Sequence, residues 1–225
     1  MLAIRIVSVA VFAALCAYTV ALAVQDRSQH LMLSVATRLE FGHTVSRQMV
    51  KATAEQILTD YHSFGCRSEL LDPGLSVVLV NLSGTNQVKD YGGWFREHSR
   101  ALDYLAEMIR CMPVDGNAWL REAMVSNAIA EDVSTLKPKM AMARRLMPHE
   151  GQQVLARLAV WKRLSVLGLN SCEAMARADI HNALVFGGYR LKLSLGEPAS
   201  PQFLLLLYSE VYKALVEKFS TLPQA

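Results

Sequence analysis

CMPVDGNAWLREAMVSNAIAEDVSTLKPKMAMARRLMPHEG, residues 111–151, is the stretch that decides the fold of this chain. Two of its three prolines, Pro113 and Pro148, stand 35 positions apart, and each falls between two runs of apolar residues at helical spacing. Phe95, Leu102, Leu105 and Ile109 line one face of a helix that must stop before Pro113, because proline lacks the amide that the helix ladder needs. Trp119, Ala123 and Ala130 mark the next helix, with Asp115 placed to cap it. A turn near Ser134-Thr135 opens a third, with Pro138 expected in its first turn and Leu136, Met140, Ala143 and Met147 as its stripe. Past Pro148 and Gly151, Val154, Leu158 and Trp161 face one way.

A period near 34 residues is the signature of tetratricopeptide-type helix pairs. Each such pair exposes an apolar face that it cannot bury alone, so pairs stack, and small residues let them approach. Ala101, Ala123 and Ala143 fall at small positions of that repeat. Leu105 and Met140 stand where an aromatic is usual, Leu136 where alanine is usual, and Trp119 comes one residue early, so the repeat is degenerate and an ordinary helical bundle is the alternative. In the repeat, the Trp119 indole is expected to be buried beside Met140 and Ala143, its N–H on a backbone acceptor.

Outward from this stretch the pattern stays helical. Leu31, Val35 and Leu39 recur every fourth residue, and Val45, Met49, Ile57 and Tyr61 continue. Breaks are expected at Gly65, at a Pro73-Gly74 turn and at a loop marked by Gly84, Gly92 and Gly93. Leu75–Leu82 has strand propensity but no partner strand, which favours a short buried helix. Met175, Ala178, Val185 and Tyr189 mark a helix that would contain Gly187-Gly188, and Pro201 opens a last one with Leu204, Tyr208, Val211, Leu215 and Phe219 on one side. The fold class is all-α.

Residues 1–24 read differently. Ile6–Val24 is a run of 19 residues without charge, behind Arg5, and is just long enough to cross a bilayer core of roughly 30 Å. It reads as an uncleaved anchor with Arg5 inside, or as a signal peptide cut after Ala21-Leu22-Ala23. Either way residues 25–225 form one extracytoplasmic domain, and no second span is expected. All 20 acidic side chains and all but one of the 23 basic ones lie beyond residue 25. That near balance speaks against a nucleic-acid partner, which calls for a strongly basic face.

Charge is nonetheless uneven. Between residues 133 and 163, Lys137, Lys139, Arg144, Arg145, Arg157, Lys162 and Arg163 meet one acid, Glu150. They form either a face for an anionic partner such as a glycan or lipid headgroup, or the solvated side of two helices. Cys66 and Cys111 flank the first helix pair; in an oxidising compartment they could close a loop of about 45 residues, and otherwise they are separate thiols. Asp103 and Glu107 are an i,i+4 carboxylate pair better read as exposed than as a general acid and base, and Glu150 is expected to interact with the helix N-terminus behind it. The histidines are scattered, no zinc, phosphate or nucleophile motif occurs, and neither a catalytic site nor a cofactor is expected.

The stretch Cys111-Met112-Pro113-Val114-Asp115-Gly116-Asn117-Ala118-Trp119-Leu120, followed by Leu146-Met147-Pro148-His149-Glu150-Gly151 and Arg157-Leu158, resembles membrane-anchored, tetratricopeptide-like bacterial proteins associated with exopolysaccharide or O-antigen assembly. Cys66-Arg67-Ser68-Glu69-Leu70-Leu71 is similar to the same group, so the resemblance spans roughly residues 60–165. It implies a scaffold facing the periplasm from the inner membrane, with the membrane and other envelope or polysaccharide-assembly proteins as partners. The competing expectation is a secreted or anchored helical ligand-binding module unrelated to polysaccharide.

Overall fold

The computed structural model describes residues 12, 15–18, 29–188, 195 and 199–220, the last four without their side chains. Most of the expected membrane segment, Ile6–Val24, lies outside the described residues, as does Tyr189. Among the described residues no helix is long and apolar enough to cross a membrane, and no strand occurs. The chain forms two compact units, up to Tyr104 and from Leu105, with the boundary inside one helix.

The first unit opens with α1, residues 29–40, whose buried face is Met32, Val35 and Ala36. Gly42, at φ 70°, lets the chain leave it: the His43 amide donates to the Arg38 carbonyl at 2.8 Å and the Gly42 amide to Leu39 at 3.1 Å. That double closure satisfies carbonyls at the helix end and needs the left-handed backbone that glycine adopts without steric cost. Ser46 then caps α2, Arg47–Asp60, by accepting from the Met49 amide. Val50, Ala54, Ile57 and Leu58 bury one side of α2 against α3, Ser68–Ser83.

The expected Pro73-Gly74 turn is not a turn. Both residues lie inside α3, which absorbs Leu75–Leu82 into one helix starting at Ser68. Tertiary packing overrides the local signal: the Tyr104 hydroxyl donates to the Leu71 carbonyl at 2.7 Å, and a Cβ on Gly74 would lie 2.5 Å from that hydroxyl oxygen. Gly74 is thus a place of close approach. Gly92 and Gly93 likewise fall inside a helix, in the first turn of α4, Tyr91–Cys111. The buried side of α4 is Trp94, His98, Ala101, Tyr104, Leu105 and Met108, rotated from the expected stripe so that Phe95 stands exposed.

The second unit continues from α4. Asp115 caps α5, Gly116–Ile129, as the sequence predicts, by accepting from the Asn117 amide. Three residues lead to α6, Val133–Leu146, so the two pack as a hairpin. Asp132 caps α6, so the helix already includes Ser134-Thr135, where a turn was expected, and Pro138 sits in the second turn rather than the first. A four-residue turn leads to α7, Gly151–Trp161, which packs on α5. The short α8, Val166–Ser171, and α9, Glu173–Val185, follow, and α10, Pro201–Ser220, packs on α9. Leu120, Ala123, Leu136, Met140, Ala143, Val154, Leu158, Trp161, Ile180 and Phe203 share one core.

Two faces are displaced from the expected ones. In α9 the buried residues are Ala176, Asp179, Ile180 and Ala183, while Val185 is exposed and Gly187-Gly188 follow the helix instead of lying in it. In α10 Phe203, Leu207 and Glu210 turn inward, and Tyr208 and Leu215 outward. Both helices are apolar on more than one side, and a period alone does not choose between adjacent stripes.

Candidate functional site

The seven cations between residues 133 and 163 do not form one face. Arg157 is fully buried and Lys162 nearly so, and Lys139 is paired with Glu122 at 3.1 Å. Arg144 lies 3.7 Å from the Asp179 carboxylate. Lys137, Arg145 and Arg163 are exposed. The sequence count missed Asp179 and Glu122 because both lie outside the counted window and reach it only through packing.

Arg157 is a structural centre of the second unit. Its Nε donates to both oxygens of the fully buried Asp179, at 3.1 and 3.0 Å. The rest of the guanidinium donates to the Met147 carbonyl at 2.8 Å and the Pro148 carbonyl at 3.1 Å. Trp161 adds an indole N–H to Asp179 at 2.8 Å, and Asn182 an amide N–H to Pro148 at 3.3 Å. These bonds satisfy a buried charge pair and the orphan carbonyls at the end of α6 together. The turn at Pro113 is closed similarly, by the Trp119 indole donating to the Pro113 carbonyl at 2.9 Å. The expected backbone acceptor for Trp119 is therefore present, but its ring is only half-buried against the core. Glu150 stands at the N-cap position of α7, at the helix N-terminus as expected, but its side chain makes no bond to the helix amides; its carboxylate accepts from the His149 amide at 3.2 Å.

Cys66 and Cys111 are disulfide-bonded. Cys16 and Cys172 are not, so of the four cysteines these two form the pair. Burial pushes the Cys172 thiol up, which keeps it protonated and unreactive. Of the i,i+4 carboxylates, Glu107 is held by Arg110 at 2.9 Å and Asp103 is exposed. Among the described residues no group of three or more histidine, cysteine, aspartate or glutamate side chains is placed to hold a metal ion.

A polar concavity in the first unit was not read from the sequence. It is a cleft of about 260 Å³ between α2, the end of α3 and the first turns of α4. Four cations line it: Arg47, Lys51, Lys89 and Arg96. Its two carboxylates are engaged within the protein. Asp90 accepts from the Gly93 amide at 2.8 Å, as a cap for α4, and Glu97 accepts from the Asn81 side-chain amide at 2.7 Å. Asn86 accepts from the Val88 and Lys89 amides at 2.9 and 3.1 Å, which folds the loop that carries Lys89. Arg47 donates to the Gly84 carbonyl. Lys51, Lys89 and Arg96 are exposed and make no ion pair among the described residues.

Beside the cleft, aromatic rings continue round α4. Trp94 lines the cleft and its ring lies 5.9 Å from that of Tyr91, which stacks at 6.1 Å and 22° on Phe95. Trp94 is 8% exposed, whereas Tyr91 and Phe95 are 59% and 43% exposed. Behind them His98 donates from Nδ1 to the Trp94 carbonyl at 2.9 Å; burial lowers its pKa against the raising effects of that bond and of Glu97. The only sequence cues to this cleft are Arg47 and Lys51 at i,i+4 and the run Tyr91-Gly92-Gly93-Trp94-Phe95, because its parts are up to 50 positions apart. Comparison of the chain with protein-family models, with curated proteins and with solved structures gives no match.

Proposed function

We propose that this protein is a non-catalytic scaffold, its body outside the cytoplasm on an N-terminal anchor in the bacterial inner membrane, supporting surface-polysaccharide polymerisation or export alongside other envelope proteins. The observation that carries the location is the Cys66–Cys111 disulfide, since such bonds persist in oxidising compartments and are rare in the cytosol. The 19-residue uncharged run behind Arg5 supports the same side. For the architecture we infer tetratricopeptide-like stacking in the second unit. Support comes from the 35-residue offset between the starts of α5 and α7, from the packing of α7 on α5, and from Ala123 and Ala143, buried where close approach is required. The polysaccharide assignment rests on the resemblance at residues 60–165.

A reporter fused after Ala225 tests the location: activity confined to an oxidising, extracytoplasmic setting is expected, and robust activity in the cytoplasm overturns it. Deleting the gene tests the role, with an altered amount or chain length of surface polysaccharide expected. An unaltered polysaccharide favours the second reading, an anchored or secreted ligand-binding module, for which the cleft in the first unit is the specific support.

A further inference from the structure

We infer that the cleft bounded by Arg47, Lys51, Lys89 and Arg96 is a binding site for an acidic saccharide, a sugar unit carrying a carboxylate, with Tyr91 and Phe95 as the platform for the adjoining ring. Three observations converge on it. The first is charge. Four cations meet two carboxylates, an excess of positive charge, and Lys51, Lys89 and Arg96 are exposed and make no ion pair among the described residues. Such like charges gathered round a concavity attract a small anion, and charge-assisted hydrogen bonds from them to a carboxylate are stronger than neutral ones.

The second observation is size. A cleft of about 260 Å³ admits a unit of monosaccharide size, whereas drug-sized ligands fill sites of ~300–1,000 Å³. The third is the aromatic pair. Tyr91 and Phe95 are stacked on each other and exposed, one helical step round α4 from the cleft wall at Trp94. Two exposed aromatic faces pack against the C–H face of a sugar ring while its hydroxyls remain in water. A simple inorganic anion would use the cations and leave the rings idle; a neutral sugar would use the rings and leave the cations idle. A carboxylated sugar followed by a second ring uses both. The choice of a saccharide among organic acids rests also on the polysaccharide role proposed above.

The test is isothermal titration calorimetry on the purified full chain with three probes: a short oligouronide, a neutral oligosaccharide of the same length, and inorganic phosphate. Saturable binding of the oligouronide is expected, with at least tenfold weaker binding of the other two. Raising sodium chloride from 50 to 500 mM should weaken it severalfold, because the screening length falls from about 10 Å at 0.1 M toward 3 Å at 1 M. Lys51→Ala and Arg96→Ala should each weaken it about tenfold, and Tyr91→Ala about threefold or more. All three side chains are exposed, so the variants should fold as the parent does. Arg145→Ala, in the second unit, should change nothing. Equal binding of the neutral sugar, equal binding of phosphate, no binding of the uronide, or binding untouched by the three cleft substitutions would each overturn the inference. None of these results bears on the reporter fusion or the gene deletion, so failure of the site and failure of the scaffold role are separable.

Discussion

Replacing Asp179 with alanine tests the organisation of the second unit at its most constrained point. The carboxylate is fully buried and, among the described residues, is the only anion paired with Arg157, which is fully buried too. Removing it leaves the guanidinium with two backbone carbonyls and no counter-charge, and strips the Trp161 indole N–H of its 2.8 Å acceptor. Breaking a buried pair by removing one partner costs about 3–5 kcal/mol, and a buried donor left without acceptor costs about 1–3 kcal/mol. Relaxation around the shared site makes the sum sub-additive, so about 4–6 kcal/mol is expected, against a typical total of about 5–15 kcal/mol. Asp179→Asn keeps an acceptor for one donor and should cost less. The double variant Arg157→Met/Asp179→Leu removes both charges together; it should cost less than the sum of its single changes, though the Met147 carbonyl then loses its donor. Urea unfolding followed by tryptophan fluorescence is the assay. Trp119 and Trp161 report on the second unit and Trp94 on the first, so separate transitions can be assigned. A change within about 0.5 kcal/mol for Asp179→Ala, the range of ordinary surface substitutions, would refute the claim that this pair holds the turn at Pro148.

Gly74→Ala should destabilise the first unit by roughly 1–3 kcal/mol through overpacking against Tyr104; adding Tyr104→Phe, which removes the obstructing hydroxyl, should recover part of the loss in thermal melts, and simple additivity would argue against the close approach. Thiol labelling of the native protein should miss Cys66 and Cys111 until reductant is added, and reduction should lower stability by about 2–4 kcal/mol for a loop of this length; labelling of either without reductant counts against the bond. The buried His98 is held neutral, its folded pKa below the ordinary 6.5, so its contribution to stability is complete above pH 6.5 and is lost as pH falls through the lowered value. Imidazole titration by NMR should give a midpoint below 6.5, and His98→Gln should flatten that part of the stability profile; a midpoint at or above 6.5 contradicts the assignment.

How far the sequence carried depended on how local each determinant is. Helix ends governed by a neighbouring residue were legible: Asp115 as a cap, Pro113 and Pro148 as stops, Val154, Leu158 and Trp161 as one face. Proline and glycine inside α3 misled, because the cost of Pro73 in a helix interior is a local quantity, whereas what retains the helix is Leu70, Leu71, Leu75, Val77 and Val78 buried together. The same distinction explains α10, where adjacent stripes are both apolar and only the core at Phe203 and Leu207 decides which turns inward.

The candidate sites divide along the same line. A run of like charges in sequence, residues 133–163, suggested either one basic face or the solvated side of two helices, yet Arg157 and Lys162 are buried, and Asp179 and Glu122 reach in from other helices to pair with Arg157 and Lys139. The cleft in the first unit is the converse. Its cations come from α2, the loop before α4 and α4 itself, with Lys89 and Arg96 each followed at once by an acid, Asp90 and Glu97, so no local window looks basic. What makes it positive is the count that packing brings together, four cations against Asp90 and Glu97, with both carboxylates held in place by neutral amide donors. Net charge sums every side chain of the chain equally, whereas attraction of an anion depends on which charges packing gathers round one concavity, and only the fold determines that.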